Sequence, residues 1–389
     1  MKLGSSEVVV IGAGVRGTSI AYHLARAGVS VTVLDKAFIC SGASGATFAL
    51  INVSGKPPAE YTALSLASAD LYPGLSEELD CDLEYERGNQ IYTIIEREED
   101  VPAARAYAEQ MSSVPGVSVT FLSPDEVREL EPAVSPAIAG GLLCHQDGHL
   151  NPFKLTFGYA RAATRLGARF LPYHEVTAIR VSGGRVCGVV TPRGEISCRW
   201  VVNAAGIDVP AIGAMVGVEI PVVACRGQVV TTQPLPGLLR QPLGSLKPNK
   251  AGPILIGTTN EFVGPDRSVE VLTMAQRVAR AIRIVPALAQ AQMIRAWAGL
   301  RPWPIDGLPI LGPVPEVEGF LIATGHSGYT LAQITGKLIT ELITRGTTST
   351  QIQSFSVTRF RDGRFHFGMY AFRTLQRREA ERPTSVLAG

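Results

Sequence analysis

An α/β fold, α+β overall, is expected for this chain, and three observations carry the expectation. A strand, a glycine-rich turn, a helix and a second strand occupy Val8 to Leu34. Strand patterns dominate residues 220–300. A second strand–glycine turn–helix unit returns at Gly319 to Thr344. One nucleotide-binding domain, interrupted in sequence, accounts for the first and third, and an inserted sheet for the middle. The expected architecture is a discontinuous Rossmann-like domain of residues 1–55, 140–218 and 299–389. Residues 56–139 and 219–298 form an inserted substrate domain with a mixed, antiparallel sheet.

The first element is the most informative. Val8 to Ile11 reads as a buried strand, and Gly12, Gly14 and Gly17 follow as G-x-G-x-x-G. In that pattern the first glycine makes the tight turn. The second lets backbone approach a pyrophosphate, and the third lets the helix pack close to the strand. The helix, about Val15 to Ala27, presents free N–H groups and a positive dipole end to an anion. Gly28 stops it, Val29 to Leu34 is the second strand, and Asp35 stands at its end to accept a ribose hydroxyl. Dinucleotide binding is the expectation; the motif alone does not choose between FAD and NAD.

The next stretch, Cys40 to Thr47, is glycine- and serine-rich, and runs on through Ser54 to Pro58. Small residues there let backbone pass along a flat or phosphorylated ligand; the alternative is a flexible connector. Residues 60–80 and 97–112 read as helices, the second exposed, and Tyr85 to Ile95 as a strand pair around Gly88. Ser123 caps a helix that starts at Pro124, and Asn151 caps one that starts at Pro152. Gly183-Gly184 turns a hairpin. Ile196 to Val202 leads as a strand into Asn203-Ala-Ala-Gly206, whose small residues admit a nucleotide. Strands at Pro221 to Cys225, Gly227 to Thr232 and Pro253 to Gly257 precede a helix at Val271 to Ile284. Gly299 to Gly312 is dense in turn-formers, and the basic, aromatic tail after Ser354 is expected to wrap the surface.

Composition narrows the function classes. The chain has 389 residues, 46% hydrophobic and 18% charged, with a formal net charge of +2. That balance gives no reason to expect nucleic acid or a membrane surface as partner. No apolar run approaches the roughly 18 residues of a membrane span. Residues 1–7 are too short for a signal peptide ahead of the first strand, so a cytoplasmic location is expected. The six cysteines are scattered without metal-ligand spacing, so reduced thiols and no metal are expected.

Several motifs taken in order carry a resemblance. They are the N-terminal fingerprint, DGHLNP (Asp147–Pro152), VVNAAG (Val201–Gly206), RGQ (Arg226–Gln228), AGLRPWPIDGLPILG (Ala298–Gly312) and ATGHSGYTLAQITGKLI (Ala323–Ile339). Together they resemble the D-amino-acid oxidase-like FAD oxidoreductases, over about residues 6–345. That group includes glycine and sarcosine oxidases and the flavoprotein subunits of opine, hydroxyproline and cyanide-forming glycine dehydrogenases. The resemblance implies FAD rather than NAD. It implies oxidation of a secondary or D-configured amino acid, or a related amine. Hydride leaves the α-carbon for flavin N5, and the resulting imine hydrolyses. The electron acceptor is oxygen or a partner electron-transfer subunit, in a homo- or hetero-oligomer. Non-covalent FAD is expected, because the C-terminal flavin segment holds no cysteine.

Carried over by position, the resemblance assigns Gly12, Gly14, Gly17 and Asp35, with Lys36 beside it, to the ADP half. It assigns Ser41, Gly42, Ala43 and Ser44 to the pyrophosphate and flavin, and Val176 to adenine. Ala204, Ala205 and Gly206 line the nucleotide, and Arg301 pairs a substrate carboxylate. Gly325, His326, Ser327, Gly328, Tyr329 and Thr330 lie at the flavin ring, where a helix N-terminus stabilises negative charge. The chain departs from the group at two places. Ser245 to Asn249 replaces a stretch that carries a tyrosine in many of its oxidases. Leu255 stands where sarcosine oxidases have a lysine for oxygen reduction. Both departures point towards the dehydrogenase subunits. Lys247 is expected either to bind a second carboxylate or to lie on a solvated strand, and His326 either to tune the flavin charge or to serve structure.

Overall fold

The computed structural model describes residues 2–88 and 90–361. Six strands form the central sheet, in the order Arg169–Leu171, Val31–Leu34, Val8–Ile11, Trp200–Asn203, Phe320–Thr324, Ile310–Pro313. All neighbours are parallel except the last pair. Its central strands are largely apolar because both faces are covered. Val8, Val10, Val31 and Val33 face the helices Val15–Arg26, Pro152–Arg165 and Gly328–Arg345. Val9, Ile11, Val201 and Ile322 face a second layer, a four-stranded sheet of Lys2–Ser5, Gly194–Ser197, Arg185–Thr191 and Ala178–Ser182.

A separate core gathers Ile91, Leu122 and Leu143 with Val230, Leu246, Ile254 and Met274. Here the strands run antiparallel in the order Leu246–Pro248, Pro253–Gly257, Val222–Pro234, Met293–Pro304. The helix Val271–Ile284 packs on them. Residues 59–83, expected with this inserted part, pack instead in the first core. Tyr61, Leu64 and Tyr72 are buried there beside the Gly328–Arg345 helix. Among the described residues no helix is long and apolar enough to cross a membrane.

Local chemistry explains most elements. Ser123 makes a capping box with Glu126, and Asn151 accepts from the amides of Phe153 and Lys154. Other elements correct the expectation. The helix read over 60–80 is two, Ala59–Ala69 and Leu75–Leu79, because Pro73 and Gly74 break it. The helix read as exposed over 97–112 is Val101–Ser112, with Ala104, Ala108 and Met111 buried. Glu86–Arg87 and Ile91–Ile95 do not pair with each other. The first pairs with Gly148–His149 and the second with Gly140–Cys144. Ile196 to Val202 divides into Gly194–Ser197 and Trp200–Asn203, which join different sheets. Pro221 to Cys225 and Gly227 to Thr232 belong to one strand, Val222–Pro234.

The largest correction is at Gly299 to Pro304. These residues are not turns but the end of the strand Met293–Pro304. This strand lies at the sheet edge, where proline removes no needed ladder bond. The early part of the expected surface tail is short 3-10 turns with Phe355 and Arg359 buried, Arg359 bonding Asp306. The rest of it lies outside the described residues.

Candidate active site

The sheet's carboxyl ends open into a cleft of about 1040 Å³. Strands, helix N-termini and the Cys40–Lys56 loop meet there, as open α/β sheets require. One end is built from the first turn. Gly12 has φ +106°, and a Cβ on it would overlap the carbonyl of Ala204. Only glycine lets these two strand ends come together. Gly17 stands outside the lining and lets its helix sit against the Gly12 carbonyl. Gly14, Ala204, Ala205 and Gly206 line the cleft, and so does Val176, which is buried.

Asp35 accepts from the Ala13 amide at 2.7 Å and from the Ala37 amide at 2.8 Å. This holds the turn in shape, and each carboxylate oxygen keeps a lone pair for a hydroxyl. Beside it Lys36 pairs with Asp208 at 2.7 Å near the surface. Ser41, Gly42, Ala43 and Ser44 also line the cleft. Ser44 Oγ accepts from the Val15 amide at 3.0 Å, so this loop crosses the helix N-terminus. Tyr329 ties it down from below, donating to the Ser44 carbonyl at 2.9 Å with its ring buried.

The far end is cationic. Arg301 Nη1 donates to the Thr259 carbonyl at 2.8 Å. Its guanidinium lies flat over Gly227, so close that a Cβ there would fall within 2.5 Å of Cζ. Arg16, from the first helical turn, is 6% exposed; it donates to the carbonyl of Gly325 at 2.5 Å and of His326 at 2.9 Å. It thereby joins the two glycine turns. Burial pulls its guanidinium down to about 10. Lys56 Nζ donates to Ser327 Oγ at 2.7 Å, and burial lowers the ammonium to about 8 against the pull of Asp147. The acids of the lining, Asp35, Glu175 and Asp208, all stand at the other end, near the first turn. His326 packs on Trp303 at 4.7 Å between ring centres. Gly328 and Thr330 begin the last long helix, and Thr330 Oγ1 accepts from the Asn52 amide at 3.1 Å.

The supporting residues explain two of the motifs. Asp147 is fully buried and accepts from Val53 N, Ser54 N and Ser54 Oγ at 2.5–3.0 Å. It pins the loop that leads to Lys56. Arg226 is 1% exposed and binds Glu261, Asp266 and Glu270. Gln228 joins them through Glu261, so RGQ anchors the segment that carries Thr259.

The sequence profile of the FAD dependent oxidoreductase family, DAO, matches residues 7–342. The chain belongs to the DAO family of FAD-dependent oxidoreductases. The hydrogen cyanide synthase subunit HcnC of Pseudomonas aeruginosa is 39% identical over 78% of this chain and 75% of its own. A subunit of opine oxidase from Agrobacterium tumefaciens is 31% identical over 91% of this chain and 97% of its own. The crystal structure of glycine oxidase from Geobacillus kaustophilus superposes with a TM-score of 0.86 at 29% identity, covering 91% of this chain and 99% of that one.

The cleft fits the family's cofactor. One cleft is lined by both the Gly12 turn and the Gly325 turn, with a helix N-terminus at each. At Gly14, which lines the cleft, a Cβ would meet Ser44 Oγ at 3.0 Å, so the bare backbone of the turn faces the small-residue loop where a pyrophosphate would lie. Asp35 keeps carboxylate lone pairs on the cleft wall that a ribose hydroxyl would use, and the cationic far end suits a ring that gains negative charge.

Lys247 departs from both expected roles. It is 2% exposed, stands outside the cleft lining, and donates to the carbonyls of Phe48 at 2.6 Å and Leu150 at 2.7 Å. It is neither on a solvated strand nor directed at a carboxylate. The expectation also passed over Arg16, Lys56 and Tyr61. Arg16 occupies a variable position of the fingerprint, and Lys56 lies in a stretch whose small residues are read for backbone passage along a ligand, with a flexible connector as the alternative. A signal for Lys56 did exist: a lone cation in a small-residue loop next to a nucleotide motif.

Proposed function

We propose that this DAO-family chain oxidises an amino acid or related amine that carries an α-carboxylate, of the secondary or D-configured type. The observation that carries this reading is Arg301, fixed over Gly227 in the same cleft as the dinucleotide fingerprint. A guanidinium binds a carboxylate through two parallel hydrogen bonds, which orients the molecule as well as holding it. Orientation is most of what this oxidation asks of the protein. Gly12, Gly14, Asp35, Ser41 to Ser44, Val176 and Ala204 to Gly206 would hold the FAD, with Gly325 to Thr330 at its ring. Bound there, FAD supplies the two-electron acceptor. Arg16 and Lys56 keep that end of the cleft positive.

The test is an Arg301→Ala variant that retains FAD. Its affinity for a carboxylate substrate, followed by flavin bleaching without oxygen, is expected to fall by roughly ten- to a hundredfold. Unchanged affinity excludes the clamp.

A second reading concerns the acceptor. Leu255 is buried against Phe48 and Val229, and Lys247 is engaged by two carbonyls, so neither of these two positions offers the cleft an ammonium; the lysine at its far end is Lys56, bonded to Ser327. These two departures from the oxidase pattern favour a flavoprotein subunit that passes electrons to a partner. Two relatives named as subunits, of hydrogen cyanide synthase and of opine oxidase, agree with it. Peroxide released in step with substrate would favour oxygen; turnover with dyes alone would favour a partner.

A further inference from the structure

A hydrogen-bond chain in the cleft wall runs from Lys56 and Tyr61 through Ser327 to His326. Lys56 Nζ donates to Ser327 Oγ at 2.7 Å. Tyr61, on the Ala59–Ala69 helix, donates its hydroxyl to the same oxygen at 2.9 Å. A serine oxygen accepts two hydrogen bonds and donates one. With both acceptor positions taken, Ser327 has only its own proton to offer. The atom within reach is His326 Nδ1, at 3.1 Å. Nδ1 is therefore an acceptor. In a neutral imidazole the other nitrogen then carries the proton.

His326 is held neutral. Burial acts first, then the charges of Lys56, Arg301 and Arg16, which together press its pKa well below the ordinary value. The ring packs on Trp303, which opposes a flip that would exchange its nitrogens. Ser327 itself sits at φ +61° as the cap of the Gly328–Arg345 helix, so its hydroxyl has a fixed place.

We infer that Lys56 is a positioning residue: acting through Ser327, it fixes His326 as a neutral Nε2–H donor in the wall of the cleft. The group that His326 recognises is then a hydrogen-bond acceptor, such as a carbonyl or anionic oxygen. His326 does not act as a base towards it, because the nitrogen that has a lone pair is spent on Ser327. This deepens the functional reading for the same cleft, but its test needs no turnover.

The experiment uses the flavin-loaded protein with nitrogen-15 histidine. His326→Gln identifies the resonances of His326 among the six histidines. At neutral pH the wild-type ring is expected to be unprotonated at Nδ1 and protonated at Nε2. Lys56→Met removes one donor and one charge. Ser327 can then accept from Nδ1, so an Nδ1-protonated form appears, and the ring titrates about one pH unit higher. Lys56→Arg keeps a charge and donors, and restores both readings. A residue that served only packing would give the same result in Met and Arg variants. The inference is overturned if wild-type His326 carries its proton on Nδ1, or if Lys56→Met leaves tautomer and titration unchanged. The wild-type spectrum decides by itself should Lys56→Met fail to fold. A protein whose flavin no amine bleaches would end the proposed function and leave this result standing.

Discussion

Gly227→Ala isolates the carboxylate clamp without touching its charge. The added methyl would meet Cζ of Arg301 at 2.5 Å and the two terminal nitrogens still closer. Something must move. Gly227 lies within the Val222–Pro234 strand opposite Gly299 of Met293–Pro304, and its neighbour Arg226 is bridged to Glu261, so the sheet holds its place. The guanidinium is the free end of a flexible side chain, and it yields. Arg301 then leaves its anchor on the Thr259 carbonyl and its pose over the strand. A charge-assisted pair is worth about 1.5–3 kcal/mol, so carboxylate affinity falls roughly ten- to a hundredfold. Gly227 has no positive φ, so alanine adds no backbone strain and stability stays within about 1 kcal/mol. The assay pairs thermal unfolding and flavin content, expected to stay near wild type, with anaerobic bleaching by graded substrate. Wild-type affinity in a protein of wild-type stability would refute the reasoning.

Other predictions follow from buried groups. Lys247→Met leaves the carbonyls of Phe48 and Leu150 without their donor. A loss of about 2–4 kcal/mol in urea unfolding is expected, with substrate affinity per flavin-loaded molecule unchanged; a selective affinity loss would return Lys247 to the site. His149 is pushed down to about 4, by burial first and then by Lys247. The folded state therefore binds its proton less readily than the unfolded chain. The stability it supports is complete above about pH 6.5 and is lost as pH falls towards 4, by roughly 3 kcal/mol. His149→Gln should flatten that acid limb, and an unchanged limb would assign the loss elsewhere. Arg226→Met leaves Glu261, Asp266 and Glu270 facing one another. Calorimetry should find it destabilised by about 3 kcal/mol; a wild-type transition would count against the anchor.

Where chemistry is local, the sequence was readable. Val8 to Asp35 has its strand, turn, helix and acid within one short segment, and each constrains its neighbours. Ser123 and Asn151 name their own helix starts, and Gly183-Gly184 names its hairpin. The helix Val271–Ile284 is legible to the residue: Met274, Ala281 and Ile284 recur at helical spacing on its buried face, and Pro286 follows its end. Reading failed where the partner is distant. Lys56 meets Ser327 across 271 positions, and Arg16 meets Gly325 across 309. No periodicity records such pairs. Lys247 reads as a carboxylate ligand or a solvated strand lysine because its partners are backbone carbonyls, which leave no trace in side-chain pattern. Pro302 and Pro304 made the Met293–Pro304 strand look like turns; only its place at the sheet edge reverses that reading.

The most direct test of an FAD-dependent amine oxidation is the spectrum of the purified chain under an inert atmosphere. Flavin absorbance is expected, from FAD that denaturation releases into the filtrate, and a primary or N-substituted α-amino carboxylate is expected to bleach it. A chain that neither retains nor takes up FAD, or one whose bound FAD no such compound bleaches, would contradict the assignment.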